Sequence, residues 1–270
     1  GRDESGYPYF AMKLVEGVTL RKIIDEVVEL NPAFSRFRRH GLLVEIVIRV
    51  AQAVAFAHER GVAHRDIKPS NIIVGDFGEV FVMDWGVAHV EGKMEENTYS
   101  RVSPDAGDEA DLTVHGTVYG TPLYMAPEQA RGELGGDPRS DVFSLGALLY
   151  EVLTYRPLVV GFERNDVLRK IQQEPFIPPR KREPMRMIPH ELEAICMKAL
   201  EKDINMRYST VKSMISDLEG FQRGDTVTAM KESSSIRIRR WLRKRVGKEI
   251  LVVFFLGCLC GVAFILVWAN

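Results

Sequence analysis

The eight residues His64–Asn71 (HRDIKPSN) combine an acid, a base and an amide in one proline-containing loop. Before them, Leu42–Arg60 (LLVEIVIRVAQAVAFAHER) carries apolar residues at helical spacing, and Gly61 is a typical helix stop. After them, Ile72–Val74 and Val80–Met83 are short β-branched runs separated by a turn, which predicts a hairpin. The polar loop is therefore expected between a long helix and a β-hairpin.

The residue types of this loop suit phosphoryl transfer. That reaction needs an aligned hydroxyl, a metal ion and neutralised charge, with little covalent chemistry from the protein. Asp66 can accept or orient a hydroxyl proton, and Lys68 can offset charge on a phosphate. Asn71 and Asp84 offer the hard oxygen ligands that Mg²⁺ prefers. Each residue alone is more often a turn former or a solvated charge, so the inference rests on the ordered set.

Further motifs follow in order along the chain. They are DWG from Asp84, GTPLYMAPEQ from Gly120 and SDVFSLGALLYEVLT from Ser140. Together with HRDIKPSN they resemble the C-terminal lobe of a eukaryotic-like protein kinase, of the membrane-anchored bacterial Ser/Thr kind. The resemblance covers roughly residues 7–223. It implies an α+β fold, a mainly helical kinase C-lobe with small β-hairpins, followed by one transmembrane helix.

The resemblance implies ATP and Mg²⁺ as cofactors, and protein substrates that accept phosphate on Ser or Thr. It assigns catalytic roles to Asp66, Lys68, Asn71, Asp84 and Thr121. Asn71 and Asp84 would hold the metal. Lys68 and Thr121 stand where Ser/Thr kinases carry these residue types.

The nucleotide site is assigned by the same resemblance. Tyr9–Val15 (YFAMKLV) resembles the last N-lobe strand and the hinge, with Met12 as gatekeeper. The backbone of Lys13 and Val15 would meet the adenine, Ile73 would lie beneath it, and Asp84 would serve the nucleotide through the metal. The family's Gly-rich loop, strand Lys and helix Glu would precede Gly1, so the 270-residue chain alone is expected to show little turnover.

Other residues receive structural or regulatory roles from the resemblance. The structural set is His64, Glu128, Asp141 and Arg207, with Glu128 pairing with Arg207 and Asp141 supporting the catalytic loop. Arg65 would receive an activation-loop phosphate, for which Thr113 and Thr117 are favoured over Thr98 and Ser103. Two alternatives stay open: these are ordinary loop residues, or the acids between Glu91 and Asp111 hold the loop near basic groups without phosphate.

Ile204-Asn205 stands where relatives often have a Pro before the Arg, and two aromatic substitutions also depart from the family pattern. Trp85 replaces the usual Phe, and Phe143 replaces the usual Trp of the following helix motif. Both retain a large apolar ring, so we expect the packing to survive with an altered shape.

The C-terminal stretch Ile250–Trp268 (ILVVFFLGCLCGVAFILVW) contains no charge over 19 residues. As a helix it would extend about 28 Å, close to the thickness of a membrane core, which predicts a transmembrane helix. Arg237–Lys248 (RIRRWLRKRVGK) precedes it with seven basic and no acidic residues, which places that side in the cytoplasm. Gly257 and Gly261 fit a helix-pairing motif, although glycine is also common in membrane helices.

Composition limits the classes of function. Hydrophobic residues make up 46% and charged residues 27% of the chain, which excludes wholesale disorder, and three cysteines exclude a disulfide framework. The formal net charge is −1, so the local basic patch before the membrane span indicates lipid headgroups as partner and no nucleic acid.

The sequence therefore predicts four segments: an N-lobe and hinge remnant at 1–15, the kinase C-lobe at 16–224, a basic juxtamembrane segment at 225–249 and a membrane helix at 250–268. The predicted function is a single-pass cell-membrane Ser/Thr kinase with a cytoplasmic kinase domain, able to form a homodimer through the membrane helix. The alternative is a membrane-tethered pseudokinase that binds partners without phosphotransfer. Retention of all four polar residues, from Asp66 to Asp84, favours the enzyme.

Within the lobe, helices are predicted from Thr19 to about Leu30, and over 140–154, 166–173, 190–200 and 210–223. Tyr9–Leu14 is predicted as a strand, and Pro175–Pro189 as a Pro-rich loop.

Overall fold

A computed structural model of the chain describes residues 7, 14–85, 89–90, 112–113, 117–118, 121–133, 137–161 and 163–230. For residues 89–90, 112–113, 117–118 and 121 it describes the backbone alone. The chain divides into two compact units, Gly1–Ala229 and Met230–Asn270, and of the second unit only Met230 is described.

Helices dominate the described residues. The α-helices are α1 (Leu20–Val28), α2 (His40–His58), α3 (Pro127–Ala130), α4 (Arg139–Thr154), α5 (Arg164–Gln173), α6 (Pro179–Arg182), α7 (His190–Ala199) and α8 (Val211–Arg223). Short 3₁₀ helices are formed by Pro32–Arg38, Pro69–Asn71, Thr121–Tyr124 and Pro184–Arg186. The strands are β1 (Val18–Thr19), β2 (Val62–Ala63), β3 (Ile72–Val74), β4 (Val80–Val82), β5 (His89–Val90), β6 (Leu112–Thr113) and β7 (Thr117–Val118).

The strands form small antiparallel sheets. Strand β3 lies between β1 and β4, with Ile73 opposite Thr19 on one side and Phe81 on the other. Strands β2 and β5 pair, as do β6 and β7. Gly17 allows β1 to reach β3, because a Cβ there would lie 2.5 Å from the carbonyl oxygen of Val74, and its φ is 145°.

Helix α4 forms the centre of the core, since its residues from Ser140 to Thr154 are all buried. It packs against α2 on one side and α7 on the other, and α2 also packs against α8. Gly146 makes the contact with α7 close, because a Cβ there would meet the Cβ of Ala199 at 2.8 Å.

Among the described residues, α2 has the length and composition of a membrane-crossing helix. It is also a core helix, with half of its most apolar stretch buried inside the protein body. Buried core helices commonly meet the same criteria, so α2 is explained by packing.

The helix predictions agree with the structure to within two residues at each end. Thr19 caps α1 as predicted, its hydroxyl oxygen accepting a hydrogen bond from the backbone N–H of Lys22 at 3.3 Å. The hairpin of β3 and β4 is also confirmed. Residues 9–13 of the predicted first strand and the predicted membrane span lie outside the described residues.

One prediction needs correction. The Pro175–Pro189 segment is not a continuous loop, because it contains α6 and the 3₁₀ helix Pro184–Arg186. Each begins with a proline at its first position, where the missing N–H and fixed φ favour helix initiation. Strand β1 and the 3₁₀ helix Pro32–Arg38 were not predicted.

Candidate active site

The backbone of the loop His64–Asn71 is held by a buried aspartate from the core helix. Asp141 lies in the first turn of α4 with no exposed surface. Its Oδ2 accepts the backbone N–H of His64 and its Oδ1 that of Arg65, both at 2.8 Å. The ring Nε2 of His58, at the end of α2, lies 2.7 Å from Oδ2. One carboxylate therefore joins α2, α4 and the loop.

The hydrogen bonds from Asp141 help to hold a strained backbone conformation in the loop. Arg65 has φ of 69° and Asp84 has φ of 62°, both in the left-handed region that side chains disfavour. Such conformations cost on the order of 1–3 kcal/mol each and persist where surrounding contacts enforce them. At Arg65 the bond from its N–H to Asp141 is such a contact.

The side chains of the loop converge on Asp66. Asn71 donates from Nδ2 to Oδ2 of Asp66 at 3.0 Å, and Nζ of Lys68 lies 2.8 Å from the same oxygen. The side chain of Asp66 is 15% exposed. The second oxygen, Oδ1, accepts no hydrogen bond from any described residue. The cluster thus presents one fixed and one available carboxylate oxygen.

The β3–β4 hairpin carries Asp84 to this loop. The residue before it, Met83, donates its N–H to the carbonyl oxygen of Asn71 at 2.7 Å, and its own carbonyl lies 3.1 Å from Nε2 of His64. The residue after it, Trp85, packs against the His64 ring with centroids 4.4 Å apart and the ring planes inclined by 53°. Asp84 is therefore fixed beside the loop from both sides. The Trp85 substitution preserves the aromatic contact.

The oxygen atoms available here fit a magnesium ion. The Asp84 carboxylate is exposed and makes no hydrogen bond or ion pair with a described residue. Asn71 uses its amide nitrogen on Asp66 and leaves its Oδ1 without a described partner. Mg²⁺ usually takes one or two protein oxygens and completes its shell with phosphate and water. The described residues contain no group of three or more His, Cys, Asp or Glu side chains at metal-binding distance.

A buried ion pair anchors the segment that follows Thr121. Both nitrogens at the end of Arg207 contact Glu128, each at 2.7 Å, and the Ser140 hydroxyl donates to Glu128 at 2.7 Å. Burial alone would raise the pKa of Glu128, but the hydrogen bonds and charge of Arg207 outweigh it and lower the pKa. The pairing expected from the sequence is present, and it joins α3 to the loop before α8.

A second buried network was not predicted. Glu151 of α4, with a side chain 1% exposed, lies 2.7 Å from Nη1 of Arg21 in α1 and accepts a hydrogen bond from the hydroxyl of Tyr124. Burial, followed by the charge of Glu151, raises the pKa of Tyr124 far above its usual range. The carboxylate thereby connects the 3₁₀ helix Thr121–Tyr124 to α1.

The role of the Gln129 side chain was also not predicted from the sequence. Its Oε1 accepts the N–H of Ala126 at 2.9 Å, and its Nε2 donates to the carbonyl of Arg65 at 3.3 Å. It therefore bridges the two polar segments of the site. Only its place directly after the APE motif could have indicated this role.

The sequence of most of the described residues matches a family model. The family described as "Protein kinase domain" matches residues 3–217. The chain belongs to the protein kinase family.

Two curated kinases illustrate the similarity. Serine/threonine-protein kinase PknB of Mycolicibacterium smegmatis is 38% identical over 224 residues, covering 83% of this chain and 32% of that protein. Serine/threonine-protein kinase PknD of Protochlamydia amoebophila is 34% identical over 228 residues, covering 83% of this chain and 23% of that protein. The chain thus spans about a quarter to a third of the length of these relatives.

The structure describes some of the other predicted site residues of this kinase domain in full, some by their backbone alone, and some not at all. Ile73 lies at the centre of β3, and Val15 precedes β1, whereas Met12 and Lys13 lie outside the described residues. Thr121 begins a 3₁₀ helix, and only its backbone is described.

Thr113 and Thr117, predicted as phosphate acceptors, face each other in the pairing of β6 with β7. Only their backbone is described, so the structure does not test their role. Arg65 forms at least one further interaction beyond those given above.

Proposed function

We propose that this kinase domain transfers the γ-phosphate of ATP to Ser or Thr hydroxyls of proteins. One observation carries the proposal: Asp66 is held by Asn71 and Lys68 within a loop that Asp141 fixes to the core. A rigidly held carboxylate with one available oxygen suits the alignment of a hydroxyl for in-line attack.

In this proposal Oδ1 of Asp66 accepts the proton of the substrate hydroxyl as the hydroxyl oxygen bonds to the γ-phosphorus and the bond from that phosphorus to the leaving ADP oxygen breaks. The bond between Asn71 and Oδ2 keeps the carboxylate from rotating, so Oδ1 faces the substrate. Lys68, next to Oδ2, supplies positive charge near the transferring group. No bond between protein and phosphate is required.

Asn71 and Asp84 would hold Mg²⁺ through Oδ1 and the carboxylate. The ion would neutralise phosphate charge when bound. Asp84 is suited to this role because it stays exposed while both of its neighbours are fixed.

Ile73 and Val15 support a nucleotide site at the β1–β3 side of the domain. Gly17 lets the two strands approach, and a Cβ at Gly17 would also press on the Ile73 side chain at 2.7 Å. We assign Ile73 to the surface beneath the adenine, with the backbone of Lys13 and Val15 and the side chain of Met12 at its edge.

Selectivity for Ser and Thr is assigned to Lys68 and Thr121. The test uses the full-length protein with Mg²⁺ and labelled ATP, followed by identification of the phosphorylated amino acids. The proposal expects phosphoserine and phosphothreonine. Phosphotyrosine as the main product would contradict the acceptor assignment.

Regulation by phosphate on Thr113 or Thr117 is a further part of the proposal. The two residues are directly opposite in β6 and β7, so a phosphate on either would place about two negative charges in one small hairpin. Arg65, beside Asp66, is the proposed receiver. Mass spectrometry of the active full-length protein tests this idea, and an unmodified segment in fully active protein would contradict it.

We also propose that Ile250–Trp268 anchors the kinase as a single-pass protein of the cell membrane, with the kinase domain in the cytoplasm. The support is its uncharged length and the basic Arg237–Lys248 segment, which suits anionic lipid headgroups. Gly257 and Gly261 would allow two spans to pair into a homodimer. Extraction of the full-length protein by high salt without detergent would contradict the anchor, and unaltered association after both glycines become Ile would contradict the pairing.

The second candidate is a membrane-tethered pseudokinase that binds partners without phosphotransfer. A protein that only binds partners does not need Asp66, Lys68 and Asn71 in this arrangement, so the arrangement favours the enzyme. ATP binding by the full-length protein without any transfer would favour it.

A further inference from the structure

A groove of about 690 Å³ lies where the C-terminal ends of α1 and α4 meet the start of α2 and the segment after α6. The described residues that line it include none of those assigned to catalysis, metal or nucleotide. Its volume falls within the usual range of ligand sites. We call it the arginine groove, after the residues that follow.

Four arginines line this groove against a single carboxylate. They are Arg38, Arg156, Arg182 and Arg186. The carboxylate, Glu183, forms an ion pair with Arg156. Among the described residues, the guanidinium of Arg182 has no hydrogen bond or ion pair, and Nε of Arg186 is buried without a partner. The groove therefore has an unbalanced positive charge and unused donors.

Arg186, whose Nε is buried, is held in place by two neighbouring side chains. The guanidinium carbon of Arg186 lies 3.3 Å from the centroid of the Tyr155 ring, a stacking contact that fixes its plane. Its backbone carbonyl lies 3.1 Å from Nε2 of His40, the first residue of α2. Burial lowers the pKa of His40 and outweighs the opposing effect of its hydrogen bond to the Arg186 carbonyl, and the charge of Arg186 lowers the pKa further. The donors are preorganised before any ligand binds.

Exposed apolar side chains stand beside these charges. Val28, Leu30 and Val160 line the groove and are 54%, 67% and 44% exposed. Apolar surface next to unpaired arginines is typical of surfaces that bind a partner with both features.

The backbone at two places along the wall is also strained. Leu30 and Tyr155 have φ of 62° and 58°, and Arg38 holds the carbonyl of Leu30 at 2.7 Å. Strain of this kind, maintained by specific contacts, concentrates at functional surfaces.

We propose that the arginine groove docks a short acidic segment with apolar side chains, belonging to the proteins that this kinase phosphorylates. The charge of the groove complements aspartate and glutamate, and Val28, Leu30 and Val160 complement interspersed apolar residues. The identity of the partner as a substrate rests on the proposed function, but binding of the segment does not.

A peptide segment fits the groove better than a single-chain amphiphile. The arginines come from three separate stretches of chain, namely the turn before α2, the end of α4 and the α6 region, so the charges are spread along the groove. A fatty acid has one carboxylate and needs an enclosed apolar tunnel, whereas the apolar residues here are open to solvent.

The test is peptide selection on the purified full-length protein. Immobilised protein selects from a library of random twelve-residue peptides, and the composition of the bound peptides is read by sequencing. The proposal expects Asp and Glu enriched next to Leu, Ile, Val or Phe. Peptides from this pool should bind Arg182→Glu about tenfold more weakly or worse, measured by fluorescence anisotropy.

Lys181 offers the matched control. It lies next to Arg182 in α6, is exposed and does not line the groove. Lys181→Glu makes the same charge change and should leave the affinity unaltered. Val160→Asp is a second groove variant that should also weaken binding. Thermal melting and phosphorylation of a short non-acidic Ser peptide should be unchanged in all three, which shows that each folds.

Two results would overturn the proposal: selected peptides without acidic enrichment, or equal affinity for the wild type and Arg182→Glu. Palmitate binding is measured in parallel. If the wild type binds palmitate, Arg182→Glu does not, and no acidic peptides are enriched, the groove binds an amphiphile instead. Peptide binding without phosphotransfer would refute the proposed function and leave the docking proposal standing. Phosphotransfer by a protein that selects no acidic peptides would refute the docking proposal and leave the proposed function standing.

Discussion

Asn71 holds Asp66 at two oxygens with one amide group: its Nδ2 lies 2.9 Å from the backbone oxygen and 3.0 Å from Oδ2. The backbone contact fixes the residue and the side-chain contact fixes the carboxylate. Lys68 adds a third contact at 2.8 Å, again on Oδ2. The orientation of Oδ1 is thus set before any substrate arrives.

Replacing Asn71 should therefore affect catalysis far more than folding. In Asn71→Ala the carboxylate of Asp66 can rotate, and a proposed metal ligand is lost as well. We expect the phosphotransfer rate to fall by about 10²-fold or more, measured with saturating ATP and Mg²⁺. The control Asn205→Ala changes an exposed amide of the loop before α8 and should keep full activity. A wild-type rate in Asn71→Ala would show that the amide is dispensable.

The pair of Glu128 and Arg207 should dominate the stability of the segment around α3. Arg207→Leu leaves a buried carboxylate without its cation, which costs about 3–5 kcal/mol of unfolding free energy. Urea unfolding measures this loss. Arg223→Leu removes two exposed ion pairs, with Glu219 and Asp225, and should change the unfolding free energy by less than about 0.5 kcal/mol. Equal losses in both variants would show that burial of the pair is unimportant.

The same pair predicts a pH dependence of stability. Because the native pKa of Glu128 is lowered, its stabilising contribution is fully present above the ordinary glutamate pKa of about 4.3 and is lost as pH falls through the native pKa. The difference in unfolding free energy between wild type and Glu128→Gln should be constant above about pH 5.5 and shrink below about pH 4. A difference that stays constant down to the most acidic folded condition would contradict the lowered pKa.

Arg21 should stabilise the 3₁₀ helix Thr121–Tyr124 through Glu151. Arg21→Met leaves Glu151 buried beside the Tyr124 hydroxyl without a cation. Because Arg21 is 29% exposed, we expect a loss on the order of 2 kcal/mol, less than for a fully buried pair. Arg49→Met, in an exposed pair with Glu45, is the matched control. If Arg21→Met unfolds at the same urea concentration as Arg49→Met, the network does not stabilise this segment.

The sequence revealed those parts of the fold that depend on local patterns. The helices were predicted because apolar spacing and caps such as Thr19 act within a few residues. Helix α4 is followed by Tyr155 in a left-handed conformation without the usual glycine, so its end was predicted from the helical pattern and not from a stop signal.

Contacts between distant segments were visible only where a family motif named both partners. Glu128 and Arg207 belong to such motifs, and their pair was anticipated. Arg21 and Glu151 are 130 positions apart, and neither periodicity nor charge pattern relates them. The arginine groove combines residues from several stretches in the same way, so only the folded chain brings its charges together.

The role of Asp66 is tested by phosphoryl transfer in the full-length protein that carries Asp66→Asn. The exposed Asp76 at the tip of the β3–β4 hairpin provides the matched control Asp76→Asn. In single-turnover experiments with bound ATP and Mg²⁺, we expect Asp66→Asn to bind nucleotide normally but to transfer phosphate to a Ser/Thr substrate at least about 10²-fold more slowly, while Asp76→Asn matches the wild type. Transfer by Asp66→Asn at the wild-type rate would contradict the assignment of this carboxylate as the group that aligns the acceptor.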